Sequence, residues 1–345
     1  MNSRGHIVKV QLSELKGLVN KALINYGYSE EATVAISEVL LYAQTRGNNQ
    51  GVVKLIGSGI PNEADGVIEV IKESRVSALL DAHQNHGMVT VNKATDMAMQ
   101  KAHEHGIAIV GAHGINTSSG ALGFYARKMA QDGLVGLVFA SSMETVAAVG
   151  SYQAIFGTNP LAIGVPGKNK PLVLDMATAA MAYFGVVEAN TAGRKLPEDI
   201  AYDKEGNATT DPARVLDDGA LRTFDKGYKG SHLSMMVQIL AGPLVGAAFM
   251  GEGDGAKNWG GHLVIAIDPE VLGGLEGLRA SVDIMIQKVK ATRKLPGTQE
   301  ILVPGERGDQ VAAEVEQTGT IEIEDNLYAE LKKVALWGSG RDQFL

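Results

Sequence analysis

Residues 88–113, MVTVNKATDMAMQKAHEHGIAIVGAH, change their period part-way along. The first two-thirds carry apolar residues at helical spacing, Gly106 stops the helix, and IAIVGAH reads as a buried strand. The same order follows at once. SGALGFYARKMAQDG, residues 119–133, is a second helix ended by glycine, and LVGLVFA, residues 134–140, is a second strand. Two such units in succession indicate a layered α/β core.

Working outward, GVIEVIKESRVSALLDAH, residues 66–83, reads as strand, turn, strand. From Val10 to Arg46 the pattern is helical, through Leu12, Leu15, Leu18, Val19 and Leu23. A new helix starts at Ser29, where Glu30 and Glu31 suit the positive end of the dipole, and ends at Gly47. On the other side, residues 150–230 are loop-rich. SHLSMMVQILAGPLVGAAF, residues 231–249, is a strongly apolar helix, and GHLVIAIDP is a strand. LRASVDIMIQKVKATRK is a basic helix, and an acidic tail follows it.

The chain's 345 residues suffice for one large domain or two ordinary ones. A net charge of −8 argues against nucleic acid or an anionic membrane as partner. The absence of cysteine excludes disulfides, thiolate nucleophiles and Cys-based zinc sites. Apolar runs such as LVGLVFA are too short to span a bilayer, and MNSRGHIVKVQLSEL lacks the apolar centre of a signal peptide. A cytoplasmic protein is the expectation.

No Gly-x-Gly-x-x-Gly turn stands between strand and helix; Gly111, Gly114 and Gly120 have the setting but not the spacing. GEGDGA, residues 251–256, follows a helix and reads as a solvated loop, and no P-loop exists. The paired histidines, His83 with His86 and His103 with His105, lack a third ligand of suitable spacing, so no metal is expected. Thr158, Asn159 and Pro160 form either a plain turn or a rigid loop that presents polar groups. Asp175, at the end of an apolar run, either caps the next helix or meets a ligand. Lys229, beside Tyr228 and between glycines, is either solvated or placed to meet a phosphate or carboxylate.

Taken in order, GTNPLAIGVP, LDMATA, YDKEGNATTDP, GYKGSHLSMMVQILAGPLVGAAF, GHLVIAIDPE and VPGE give the chain a resemblance that none carries alone. It resembles the malate/L-lactate dehydrogenase family that lacks a Rossmann fold. That family includes ureidoglycolate and sulfolactate dehydrogenases, 2,3-diketogulonate reductase and piperideine-2-carboxylate reductase. The resemblance covers nearly the whole chain. It implies an α/β (α+β) fold with a helical domain from 1–75 and 275–345, around a cofactor- and substrate-binding core of 76–274. It also implies a homodimer, NAD or NADP as cofactor, and reduction of a small 2-oxo or 2-imino acid. By motif match the cofactor loops are Thr158, Asn159 and Pro160; Leu174, Asp175, Met176, Ala177 and Thr178; Tyr228 and Lys229; and Gly305, Glu306 and Arg307. The choice between NAD and NADP turns on where Arg194, Lys195 and Arg307 lie, because a 2′-phosphate needs nearby cations.

One departure concerns the chemistry. Where the family has Ser-His-Gly-Val-x-Arg, this chain has Asn49, Gln50, Gly51, Val52, Val53 and Lys54. Where a second family histidine precedes the next helix, it has Ser118. The family's proton donor is therefore replaced by Gln50, which donates a hydrogen bond but does not release a proton. Gln50, Ser118 and Lys54 are the candidate catalytic residues, and Asn49, Lys54, Asn116 and His113 the candidate substrate-binding ones. His113 and His232 are possible replacement acids. Three readings follow: a 2-hydroxy/2-oxo acid dehydrogenase whose protons travel through Ser118, Lys54, Lys229 or water; a reductase of a cyclic 2-imino acid; or a binding protein without turnover.

Overall fold

The computed structural model describes residues 7–56, 66–191, 193–252 and 260–337. Its elements in chain order begin with β1 (Ile7–Gln11), α1 (Leu12–Asn25), α2 (Glu30–Gln44), β2 (Glu69–Glu73), β3 (Ser77–Asp81), α3 (Gly87–His105) and β4 (Ile107–His113). There follow α4 (Gly123–Gln131), β5 (Val135–Ala140), β6 (Val146–Ala147), β7 (Ala154–Phe156), β8 (Leu161–Val165), β9 (Leu172–Met176) and α5 (Tyr183–Thr191). The remainder is β10 (Ala201–Tyr202), α6 (Pro212–Leu216), β11 (Ala220–Leu221), α7 (Tyr228–Ala241), β12 (His262–Ile267), α8 (Leu275–Lys290), α9 (Glu306–Thr318), β13 (Thr320–Glu324) and α10 (Asp325–Trp337).

A seven-stranded sheet, ordered β2-β3-β4-β12-β5-β8-β9, forms the centre. Only β3 and β4 run parallel, joined by α3; the other neighbours are antiparallel. The expected helix–glycine–strand units are both present. Gly106 takes φ 85° and closes α3 before β4, a left-handed conformation glycine adopts without penalty. Alternation along β4 buries Ala108, Val110 and Ala112 under α3 and leaves Ile107 and Ile109 open. α4 lies across β5 and β8 so closely that a Cβ at Gly164 would run into the Ala126 carbonyl oxygen. A four-stranded sheet, β10-β11-β6-β7, has its own small core around Val146, Phe156, Val186 and Leu221. α1 packs on α10, and β1 pairs antiparallel with β13.

Several expectations are corrected. Val10 belongs to strand β1, and helix α1 begins at Leu12. The second helix of the paired units starts at Gly123, not at residue 119. The long apolar helix stops at Ala241, because Pro243 has no N–H to continue the ladder. The loop-rich stretch 150–230 contains β7 to β11, α5 and α6. The acidic tail is ordered: in TIEIE, Ile321 and Ile323 are buried against the terminal helices while Glu322 faces outward. Ser29 caps α2 as expected, accepting the Ala32 N–H at 3.3 Å. Of GEGDGA, residues from Gly253 onward lie outside the described residues. Among the described residues no helix is long and apolar enough to cross a membrane. None of them form a His, Cys, Asp and Glu group able to hold a metal ion.

Candidate active site

A cleft of about 750 Å³ opens where the end of α2, the β4–α4 loop, the GTNP and DMAT segments and the start of α9 converge. That volume is within the range of small-molecule and cofactor sites.

The Asn-Asn-Gln stretch builds one wall. Gly47 turns the chain at φ 65°, and the Asn48 N–H closes α2 on the Ala43 carbonyl at 3.0 Å. The Asn48 side chain then accepts the Gln50 N–H at 2.9 Å, so Asn48 makes the turn, and with Asn49 and Gln50 it lines the cleft. The Asn49 amide is packed so tightly that a Cβ at Gly185 would come within 2.6 Å of its Nδ2. A 3₁₀ turn, Val52–Leu55, swings Lys54 inward until it is 1% exposed. Its Nζ donates to Ser118 Oγ at 3.0 Å and lies 3.4 Å from the centre of the Phe184 ring. Burial holds the Lys54 amine well below its usual range.

Ser118 faces the cleft from the opposite side. Its Oγ accepts from Lys54 Nζ and, at 3.1 Å, from the Gly120 N–H. A hydroxyl has two acceptor lone pairs and one donor hydrogen. With both acceptor positions filled, the Ser118 hydrogen is left to point at whatever occupies the cleft. His86 lies behind Lys54; its Nδ1 accepts the Met88 N–H at 3.1 Å, and burial plus the Lys54 charge push it down to about 3, so it is neutral. His262, on β12, is the histidine of the cleft lining among the described residues. It is 2% exposed, bonded through Nε2 to Ser119 Oγ at 2.8 Å, and lowered by burial to about 4.

Of the residues expected to hold cofactor, Thr158, Pro160, Leu174, Asp175, Met176, Ala177, Gly305 and Arg307 line the cleft. Asn159 and Thr178 are buried behind it as framework. Asn159, at φ 38°, donates to the Ser234 carbonyl and to Gln238 Oε1, tying its loop to α7. Thr178 Oγ1 donates to the Thr158 carbonyl at 3.0 Å, joining the two loops. Glu306 is paired with Lys290 and accepts the Val303 N–H. Tyr228 and Lys229 are exposed on the first turn of α7 and are not part of the lining. Among the expected substrate and acid residues, Asn49 lines the cleft, whereas Asn116, His113 and His232 do not, and Lys54 is buried behind the lining, touching it through Ser118. His113 ends β4, its carbonyl accepting the Ala82 N–H, and His232 is exposed beside Tyr228.

Asp175 is a cap, though for a different helix from the next one. Its Oδ2 accepts the N–H of Gly123, the first residue of α4, at 2.8 Å. Water reaches the carboxyl from the cleft, while enclosure by protein on the other sides pushes it up to about 6. Sequence reasoning passed over His262, Phe184, Tyr42, Arg46, Arg127 and Asp309, all of which line the cleft. A histidine at the start of a buried strand was a readable signal; the others are far apart in the chain.

The sequence matches the family model described as malate/L-lactate dehydrogenase over residues 10–332. L-sulfolactate dehydrogenase of Methanothermobacter thermautotrophicus is 33% identical over 310 residues, 87% of this chain and 88% of its own. Delta(1)-pyrroline-2-carboxylate/Delta(1)-piperideine-2-carboxylate reductase of Pseudomonas putida is 33% identical over 341 residues, 94% and 96% of the two chains. The crystal structure of malate dehydrogenase from Entamoeba histolytica superposes with a TM-score of 0.88 at 25% identity, covering 96% of this chain and 98% of its own.

Proposed function

The chain belongs to the malate/L-lactate dehydrogenase family and is an oxidoreductase of small acids or cyclic imino acids, and from that premise we propose how it works. Our reading is a nicotinamide-dependent oxidoreductase of a small 2-hydroxy/2-oxo acid, in which Ser118 and Lys54 replace a titrating histidine. The observation that carries it is the Ser118 hydroxyl, both of whose acceptor positions are occupied by Lys54 and Gly120.

The cleft fits a dinucleotide. Thr158, Ser142 and Thr145 offer hydroxyls, Asp175 offers a carboxylate, and Arg46, Arg127 and Arg307 offer charge to phosphates. When bound, the nicotinamide supplies or accepts a hydride at the substrate's C2. The protein supplies the proton path. In reduction, Ser118 gives its hydrogen to the developing alkoxide and recovers one from Lys54 Nζ. In oxidation, both transfers reverse, and a lysine held below its ordinary range is a competent base. Gln50 and Asn49 donate to the substrate oxygens.

A second reading is favoured by Gln50 and by the neutral state of His262. A cyclic 2-imino acid enters as an iminium that already carries its proton, so hydride transfer alone reduces it. Ser118→Ala separates the two. Loss of a positioned proton donor costs about 10²–10⁴-fold in kcat. A drop of that size with 2-oxo acids supports the first reading; unchanged turnover of a cyclic imino acid supports the second. Wild-type protein that turns over neither class with NADH or NADPH refutes both.

The reading includes a homodimer. Leu233, Met235, Met236 and Ile239 of α7, Leu244, and Ile107 and Ile109 of β4 are large apolar side chains left exposed, as residues awaiting a partner copy would be. Light scattering that gives a monomer at micromolar concentration would remove this part of the reading.

A further inference from the structure

The charged side chains of the cleft are unevenly matched. Asp309 is the hub of one end: its Oδ1 lies 2.8 Å from Arg127 Nη1 and 3.6 Å from Arg46 Nη2, and its Oδ2 lies 3.7 Å from Lys170 Nζ. One carboxylate is thus shared among three cations. Arg307 lines the same cleft from the first turn of α9, is exposed, and has no ion-pair partner among the described residues. Arg46 is held in place by stacking, its guanidinium carbon 3.9 Å from the centre of the Tyr42 ring. It donates to the Tyr42 carbonyl at 3.3 Å, and its Nε is buried without a partner. The one other acid of the lining, Asp175, has an oxygen committed to Gly123.

Three lining arginines against two lining carboxylates, one of which also meets Lys170, leave a surplus of positive charge in a chain whose net charge is −8. Guanidinium groups fixed by neighbours, with N–H donors to spare, suit a phosphate dianion better than a ribose hydroxyl, which wants an acceptor. The other two cations whose position was in question lie elsewhere: Arg194 is paired with Glu188 and Glu324, and Lys195 is not part of the lining.

We propose that this arginine-ringed end of the cleft receives the 2′-phosphate of the cofactor, so that the protein prefers NADP(H) to NAD(H). The proposal rests on the nicotinamide-dependent reading above and adds the identity of the cofactor. Arg307 makes the decisive contact, since it is the cation with no competing carboxylate, while Arg46 and Arg127 hold the site electropositive.

The test is calorimetric titration of the purified protein with 2′,5′-ADP and with 5′-ADP, beside fluorescence titration with NADPH and NADH. The expected result is at least about tenfold tighter binding of 2′,5′-ADP than of 5′-ADP, a gain that falls steeply with salt. Arg307→Glu is exposed and should leave the fold intact. It should weaken 2′,5′-ADP about tenfold more than 5′-ADP and so remove most of that preference, because the reversed charge acts on one phosphate more in the first nucleotide than in the second. Equal affinity for the two nucleotides, or an equal loss for both in Arg307→Glu, overturns the proposal and leaves the enzyme reading standing. Failure to bind either dinucleotide overturns both.

Discussion

Replacing Lys54 by methionine should make the protein more stable and less active at once. Lys54 is 1% exposed, and its Nζ meets one neutral hydroxyl and one ring face. No carboxylate pairs with it among the described residues. Exchanging buried ionic groups for apolar ones of similar volume stabilises by about 1–4 kcal/mol. Against this stand one hydrogen bond and one cation–π contact, each about 1 kcal/mol. The net gain is about 1 kcal/mol, which for 345 residues raises Tm by roughly 1–2 °C. The sign with pH follows from the depressed amine. Between its folded value and the ordinary 10.5 the unfolded chain binds the extra proton, so wild-type stability rises with pH through that window. The advantage of the variant is therefore largest at neutral pH and closes as pH approaches 10.5. Calorimetric melting from pH 6 upward, beside steady-state turnover of a 2-oxo acid, measures both arms. The kcat should fall about 10²–10⁴-fold. Lower stability at neutral pH, or turnover within a few-fold of wild type, refutes the assignment of Lys54 as a buried proton carrier.

Other substitutions probe the walls. Gly185→Ala sets a methyl 2.6 Å from Asn49 Nδ2, so KM should rise severalfold with Tm nearly unchanged. Asp175→Asn removes a carboxyl whose folded value is raised from 3.8 to about 6. Below 3.8 both states are protonated; as pH rises through 6 the wild type loses stability relative to the variant, and paired melts at pH 4 and 7.5 should show the gap opening. Gly164→Ala meets the Ala126 carbonyl, a main-chain contact that cannot rotate away, and should cost about 3 kcal/mol in urea unfolding.

The α3–β4 and α4–β5 units were legible because period and stop signal agree over a few residues: Gly106 both ends the helical spacing and takes φ 85°. β13 was not, since TIEIE, two isoleucines alternating with two glutamates after a threonine, reads equally as an acidic tail until β1 supplies a partner. β6, β10 and β11 have two residues each, too few for any period to register. In the site, the turn made by Asn48 and the cleft-lining Asn49 and Gln50 follow from local order. The Lys54–Ser118 contact spans 64 positions, and the Arg127–Asp309 contact 182, so neither leaves a spacing to read.

The pairing of β1 with β13 also constrains how the chain can be made. Asn25 on α1 donates to the Val334 and Ala335 carbonyls, 309 and 310 residues further on. At about 5–20 residues per second, the ribosome needs roughly 15–60 s to deliver that partner after α1 has emerged. During that interval β1 is an unpaired edge and the apolar face of α1 has no α10 to cover it. The central sheet can assemble meanwhile, because its outermost strand in sequence, β12, ends at Ile267. Synthesis halted before Thr320 would therefore leave a folded sheet with an adhesive N-terminal layer. That nascent species is where a holding chaperone has most to do.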